Sequence, residues 1–199
     1  MPVPTIYYIR HGETAWNAEG RFQGSQDIPL NDLGRSQAVA AGAIPGDLLA
    51  GDGHEPSSLP FVASPLVRAR MTMELVRDAI ELPPAGYSVD GRLREIGYGQ
   101  WEGLTLAEMK LNDAATFARR DVDTWGVAAP SGESYASVTL RMRDWFDSLV
   151  ADTVAVAHGG TMRALMVALG VATPLEAAGT PIGQGVVYVF SAGGLTRYG

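Results

Sequence analysis

The chain has 199 residues, 46% hydrophobic and 19% charged, which fits a single domain over residues 1–199 with one substantial core. A formal charge of −7 argues against partners such as nucleic acid or an anionic membrane surface, either of which requires a broad basic face. With no cysteine, disulfides, zinc-thiolate sites, iron-sulfur clusters and thiol nucleophiles are excluded.

The N-terminal Met1-Pro2-Val3-Pro4-Thr5 has no basic region or long apolar core, and no apolar stretch approaches the roughly 20 residues of a membrane helix. The expectation is a soluble, cytoplasmic protein. Residues 5–9, Thr-Ile-Tyr-Tyr-Ile, form a β-branched and aromatic run without alternation, as in a strand buried on both faces of a parallel sheet. It stops at Arg10-His11-Gly12. A helix is expected over residues 32–43, then a loop over residues 45–60 as the segment most open to motion. His54 falls in that loop, in Gly51-Asp52-Gly53-His54-Glu55-Pro56, a turn-forming composition that reads as exposed.

Two further buried-strand runs, residues 61–63 and 153–157, end at Ser64-Pro65 and His158-Gly159-Gly160. After the first, Ser64 reads as the cap and Pro65 as the first residue of a helix carrying Leu66, Met73, Val76 and Ile80. After the second, residues 161–169 read as a helix closed by Gly170. Capping boxes are expected at Thr105-Leu106-Ala107-Glu108 and Thr173-Pro174-Leu175-Glu176, and a helix over residues 134–151. Residues 186–190 and 195–198, separated by Ser191-Ala192-Gly193-Gly194, read as a hairpin. This order predicts an α/β fold: a three-layer α/β/α sandwich with a mostly parallel central sheet and a C-terminal antiparallel hairpin. Ligands of such sheets bind beyond the carboxyl ends of the strands.

Of the three histidines, His11 and His158 both occur as His-Gly directly after a buried strand, which points them into one crevice. The following glycine, Gly12 or Gly159, lets the backbone turn and its amide approach a ligand. Arg10 and Arg68 fall near two of the same strand ends. Taken singly, a histidine at a strand end is more often a hydrogen-bonded structural residue, and an arginine in a first helical turn is more often solvated. Together, two imidazoles and two guanidiniums describe an oxyanion pocket. Guanidinium forks can clamp a phosphate monoester and a neutral imidazole can attack phosphorus, so the chemistry calls for no metal and no cofactor. Spacing leaves the general acid open among Glu13, Glu95, Glu102 and Glu133.

The segment Arg10-His11-Gly12-Glu13-Thr14-Ala15-Trp16-Asn17 resembles the opening motif of the histidine phosphatase superfamily, which includes the cofactor-dependent phosphoglycerate mutases. Later stretches match in order: Arg21-Phe22-Gln23-Gly24 with Asp27-Ile28-Pro29-Leu30, Ser64-Pro65-Leu66-Val67-Arg68-Ala69, Leu93-Arg94-Glu95 with Gly99-Gln100-Trp101-Glu102-Gly103, and His158-Gly159-Gly160. The resemblance implies that His11 is the nucleophile of a phospho-histidine mechanism and that Arg10, Arg68, Asn17 and His158 hold the phosphoryl oxygens. It also implies that Glu95 is proton donor to the leaving oxygen and then base toward water, and that Gln23 helps bind phosphate or substrate. The expected substrate is a small phosphorylated metabolite.

Mutases of the superfamily carry a larger insertion between acid and second histidine, with basic residues for the substrate carboxylate. Here that interval is short, and Arg119-Arg120 reads as a solvated helical face, so hydrolysis is favoured over mutase activity. A non-catalytic phospho-ligand module would be marked by loss of a histidine, an arginine or the acid, and all are present. Kinase-type transfer lacks a Walker or kinase glycine loop. The outer wall of the pocket is expected from residues 16–27 and 104–132, with Trp16, Phe22, Trp101 and Trp125 making it partly apolar.

Overall fold

The computed structural model describes residues 3–51, 53, 55–192 and 194–199. Strands and helices follow the chain as β1 (Ile6–Arg10), α1 (Ala15–Ala18), α2 (Asp32–Gly51), β2 (Phe61–Ala63), α3 (Val67–Ala79), β3 (Ser88–Val89), α4 (Leu106–Asn112), α5 (Ala114–Val122), α6 (Tyr135–Asp147), β4 (Thr153–Ala157), α7 (Gly159–Ala168), α8 (Pro174–Gly179), β5 (Val187–Ser191) and β6 (Gly194–Tyr198). The sheet order is β3-β2-β4-β1-β5-β6. β3, β2, β4 and β1 are parallel, and β5 and β6 complete the sheet as an antiparallel hairpin.

The period of two in a strand explains the three layers. Ile6 and Tyr8 of β1 and Ala155 and Ala157 of β4 face a core completed by Val138, Met142 and Trp145 of α6 and Met162, Leu165 and Met166 of α7. Tyr7, Ile9, Val154 and Val156 face the opposite core, with Ala41 and Leu49 of α2 and Ala69, Met73 and Val76 of α3. Both faces of β1 and β4 are therefore apolar, which is why neither sequence alternates. Among the described residues, no helix is long and apolar enough to cross a membrane.

Three helix boundaries differ from the expected ones. α2 runs on to Gly51 through Pro45, so the first part of the expected loop is helical. A proline in a helix interior costs about 3 kcal/mol. Beyond it, Leu49 is fully buried and Leu48 packs against the same core, and burying one such side chain contributes about 1.5–3 kcal/mol. His54 lies outside the described residues. α3 starts at Val67 with Leu66 as its N-cap and no side-chain cap bond, and the Ser64 hydroxyl, expected as the cap, accepts from the Leu66 amide at 3.4 Å while also meeting His158. α6 ends at Asp147, before the expected residue 151, while both expected capping boxes are present at Thr105 and Thr173.

Candidate active site

β1, β2 and β4 run parallel in close register, Arg10 beside Ala157 and Ala63 beside Val156, so Arg10-His11, Ser64 and His158 emerge at one edge of the sheet. His11 is 2% exposed. Its Nδ1 lies 2.6 Å from the Gly12 carbonyl oxygen, which can only accept, so Nδ1 carries a hydrogen. Burial first, then the charges of Arg68 and Arg10, hold its pKa well below the usual histidine value against the opposing bond to Gly12. A neutral ring with Nδ1–H leaves the lone pair on Nε2. The turn is held tightly, since a Cβ on Gly12 would lie 2.1 Å from the Gly34 carbonyl oxygen and a Cβ on Gly34 would lie 2.0 Å from that of Glu13. Glu13 is a tether, its carboxylate accepting from Asn31.

Arg68, on the first turn of α3, is completely buried. Its Nη1 and Nη2 donate to the carbonyls of Gln26 and Gly24 at 2.6 and 2.9 Å. Burial above all pushes its pKa down to about 10, so it remains a cation at neutral pH. The loop that supplies those carbonyls is clamped by Glu102, whose carboxylate accepts from Ser25, Gln26 and the Tyr98 amide. Burial raises the pKa of that carboxyl, and the donors outweigh burial and leave it below the ordinary range.

His158 is fully buried, and its ring centroid stands 5.1 Å from that of His11. Its Nε2 is 2.7 Å from the Ser64 hydroxyl. Burial, then Arg68, His11, Arg10 and Arg141, hold it well below the usual value, so it is a neutral ring and not a third cation. The His158 peptide is bracketed by two hydroxyls: Tyr8 donates to its carbonyl at 2.8 Å, Thr161 donates to the same carbonyl, and its amide donates to Tyr8.

Glu95 follows Leu93 on a loop and lines the same cleft. Its oxygens accept from the amides of Ile96 at 2.9 Å and Gly160 at 3.2 Å, and a Cβ on Gly160 would lie 2.4 Å from Glu95 Oε1. From α6, Arg141 donates to the carbonyls of Arg92 and Arg94 and pairs with Glu133, which in turn accepts from the Gly97 amide. Glu133 and Glu102 are thus committed to holding loops, and Glu95 is the carboxylate of the open four that lines the cleft.

The cleft, about 240 Å³, brings together Arg10, His11, Asn17, Gln23, Arg68, Glu95 and Gly159, all expected there. Asn17 Oδ1 accepts from the Thr14 amide, and the Thr14 hydroxyl, with one hydrogen to give, lies 3.1 Å from Asn17 Oδ1 and 3.0 Å from Gln23 Oε1. Among the described residues, Arg10 Nε, Arg68 Nε and His158 Nδ1 are three of four buried side-chain polar atoms that make no hydrogen bond within the protein. Arg10 and Arg68 line the cleft, whereas His158 does not and reaches it only through its ring 5.1 Å from that of His11. Most buried polar groups are paired, so these unpaired nitrogens mark a place shaped for an oxygen-rich anion. Sequence reasoning missed Ser64, Thr161, Arg141 and Arg163, the last of which also lines the cleft. Arg120 departs from its expected solvated position: it is buried, donating to the Val127 carbonyl, while Arg119 is exposed.

The model of the histidine phosphatase superfamily, branch 1, matches residues 6–194. The chain belongs to the histidine phosphatase superfamily. It is 37% identical over 183 residues to the glucosyl-3-phosphoglycerate phosphatase of Mycobacterium tuberculosis, covering 85% of this chain and 76% of the relative. It is 32% identical over 180 residues to a 2,3-bisphosphoglycerate-dependent phosphoglycerate mutase of Gloeobacter violaceus, covering 85% and 77%. The structure of a mycobacterial glucosyl-3-phosphoglycerate phosphatase complexed with VO3 superposes with a TM-score of 0.78 at 32% identity, covering 98% of this chain and 96% of that one. The phosphoglycerate mutase-like superfamily fold is thus shared over nearly the whole length.

Proposed function

We propose that this member of the superfamily hydrolyses a small phosphate monoester through a phospho-His11 intermediate. The observation that carries the reading is the neutral His11 ring with its Nδ1 hydrogen fixed on Gly12, which leaves Nε2 as a nucleophile beside two guanidinium groups. Nε2 attacks phosphorus, a P–N bond forms and the ester P–O bond breaks. Glu95 gives its proton to the departing alkoxide. A water then attacks phosphorus as Glu95 takes one of its protons, the P–N bond breaks, and inorganic phosphate and free His11 remain.

Arg10 and Arg68 stay charged throughout and stabilise the equatorial oxygens, the task a metal ion performs in other phosphoryl-transfer sites. His158, as a neutral ring held through Ser64, offers Nδ1 to the same oxygens, with Asn17, Gln23 and the Gly159 amide around them. The mutase relative makes transfer to a second alcohol the alternative. In chelator-treated buffer the protein is expected to hydrolyse p-nitrophenyl phosphate, and on 3-phosphoglycerate to release phosphate faster than it isomerises the substrate. Replacing Glu95 by Gln is expected to slow alkyl phosphates by about 10²–10⁴, and p-nitrophenyl phosphate far less, because only the poor leaving group needs the proton. Equal losses on both would remove Glu95 from the acid role.

A further inference from the structure

A second cavity, also about 240 Å³, lies against the first. Phe22, Tyr98 and Arg163 line both. Beyond that junction its character changes. Its apolar walls include Trp101, Met109, Phe117 and Tyr135, with Ala178 at one side, and Asp121 and Thr124 add polar lining. The buried Arg120 guanidinium lies 5.6 Å from the centroid of Tyr98 and 5.8 Å from that of Tyr135, which fixes both rings. Trp125 stacks on Tyr135 at 4.8 Å, outside the cavity lining. At the junction Phe22 and Tyr98 meet edge to face at 4.8 Å, and Arg163 is tied by Nε and Nη2 to the Thr180 carbonyl.

Each cavity alone falls short of the range of about 300–1,000 Å³ that holds small-molecule ligands, whereas the joined pair lies within it. The first supplies charge for a phosphoryl group and little apolar surface. The second supplies aromatic surface and joins the first at Phe22, Tyr98 and Arg163.

We infer that the second cavity seats the leaving group, and that the preferred substrates are phosphate monoesters of alcohols bearing a flat apolar ring, not small polyols or hydroxy acids. This rests on the phosphatase reading for what occupies the cleft. The ring packs among Trp101, Phe117 and Tyr135, and the chain joining it to phosphate passes Phe22, Tyr98 and Arg163.

Binding of non-hydrolysable phosphonates, measured by titration calorimetry, tests the cavity separately from turnover. 2-Phenylethyl phosphonate is expected to bind about 10- to 100-fold tighter than ethyl phosphonate, the gain expected from burying one ring. Ala178→Trp, which fills the second cavity, is expected to bring that ratio close to one. Ala178→Ser, with little added bulk, should preserve it and controls for folding. Equal affinities for the two phosphonates in the unmodified protein, or a ratio unaltered by Ala178→Trp in folded protein, would overturn the inference. A preserved ratio without hydrolysis of any monoester would leave the leaving-group cavity standing and remove the phosphatase reading.

Discussion

The turns after β1 and β4 share one local sequence, a histidine and a glycine at the end of a buried strand, yet they hold their rings in opposite ways. His11 is tethered through Nδ1 to the carbonyl of its own neighbour, Gly12. His158 is tethered through Nε2 to Ser64, a hydroxyl delivered by β2 from far along the chain. A carbonyl can only accept, so it dictates which nitrogen of His11 keeps the lone pair. A hydroxyl can donate or accept, so it orients His158 without dictating its tautomer. Local sequence makes the two histidines look equivalent, and the partner of each ring is what separates them in the proposed function, one as nucleophile and the other as phosphate ligand.

The largest break in that symmetry is expected in catalysis. His11→Ala should reduce p-nitrophenyl phosphate turnover by roughly 10⁴-fold or more, because the covalent route is lost. His158→Ala should cost about 10²–10³, the range for removing one group that stabilises transition-state charge. Steady-state kinetics on both variants, with circular dichroism to establish folding, measure the contrast, and equal losses would erase it. A smaller effect is expected at Ser64. Ser64→Ala leaves the buried His158 Nε2 without its partner, a loss of about 1–3 kcal/mol, read in thermal unfolding and in kcat. Ser64→Thr, which keeps the hydroxyl, should recover part of it.

The remaining effect is on stability and not on turnover, and it touches both histidines alike. Each has a folded pKa well below its unfolded value of about 6.5. The folded state therefore binds fewer protons than the unfolded one over that window. Their contribution to stability is complete above about pH 6.5 and is lost as pH falls below it, by at most about 1.4 kcal/mol per pH unit for each ring. Denaturant titrations between pH 7 and 5 should show this slope, and it should flatten by one ring's share in His11→Gln and in His158→Gln.

The parts of this molecule that were legible in the sequence are those with local causes. A strand buried on both faces needs an unbroken apolar run, so residues 6–9 and 153–157 announced themselves, and with them the edge at which the histidines stand. Capping boxes at Thr105 and Thr173 are likewise four-residue patterns. What stayed hidden depends on partners distant in the chain. Ser64 looked like a cap, and its hydroxyl does accept from the Leu66 amide, but its second partner, His158, is brought alongside only by the β2–β4 pairing. Pro45 looked like a helix end, and packing of Leu48 and Leu49 against the core overrides it.

Arg119 and Arg120 were read as one solvated helical face, whereas adjacent residues of a helix stand about 100° apart, so Arg119 is exposed while Arg120 turns to the rings of Tyr98 and Tyr135. The choice among four glutamates was likewise unreadable from spacing and came only from the family resemblance, which pointed to Glu95. Glu13, Glu102 and Glu133 each meet backbone or side-chain donors that spend them on holding loops. Glu95 also accepts amide bonds, yet its side chain lines the cleft.

The asymmetry of the two rings is tested most directly by trapping the phosphoenzyme. Protein mixed with p-nitrophenyl phosphate and quenched in alkali, which preserves phosphoramidates, is digested and its peptides mapped by mass spectrometry. Phosphate is expected on the peptide containing His11, in the unmodified protein and in His158→Ala, and absent from His11→Ala. Phosphate on the peptide containing His158, or a phosphoenzyme that survives His11→Ala, would contradict it.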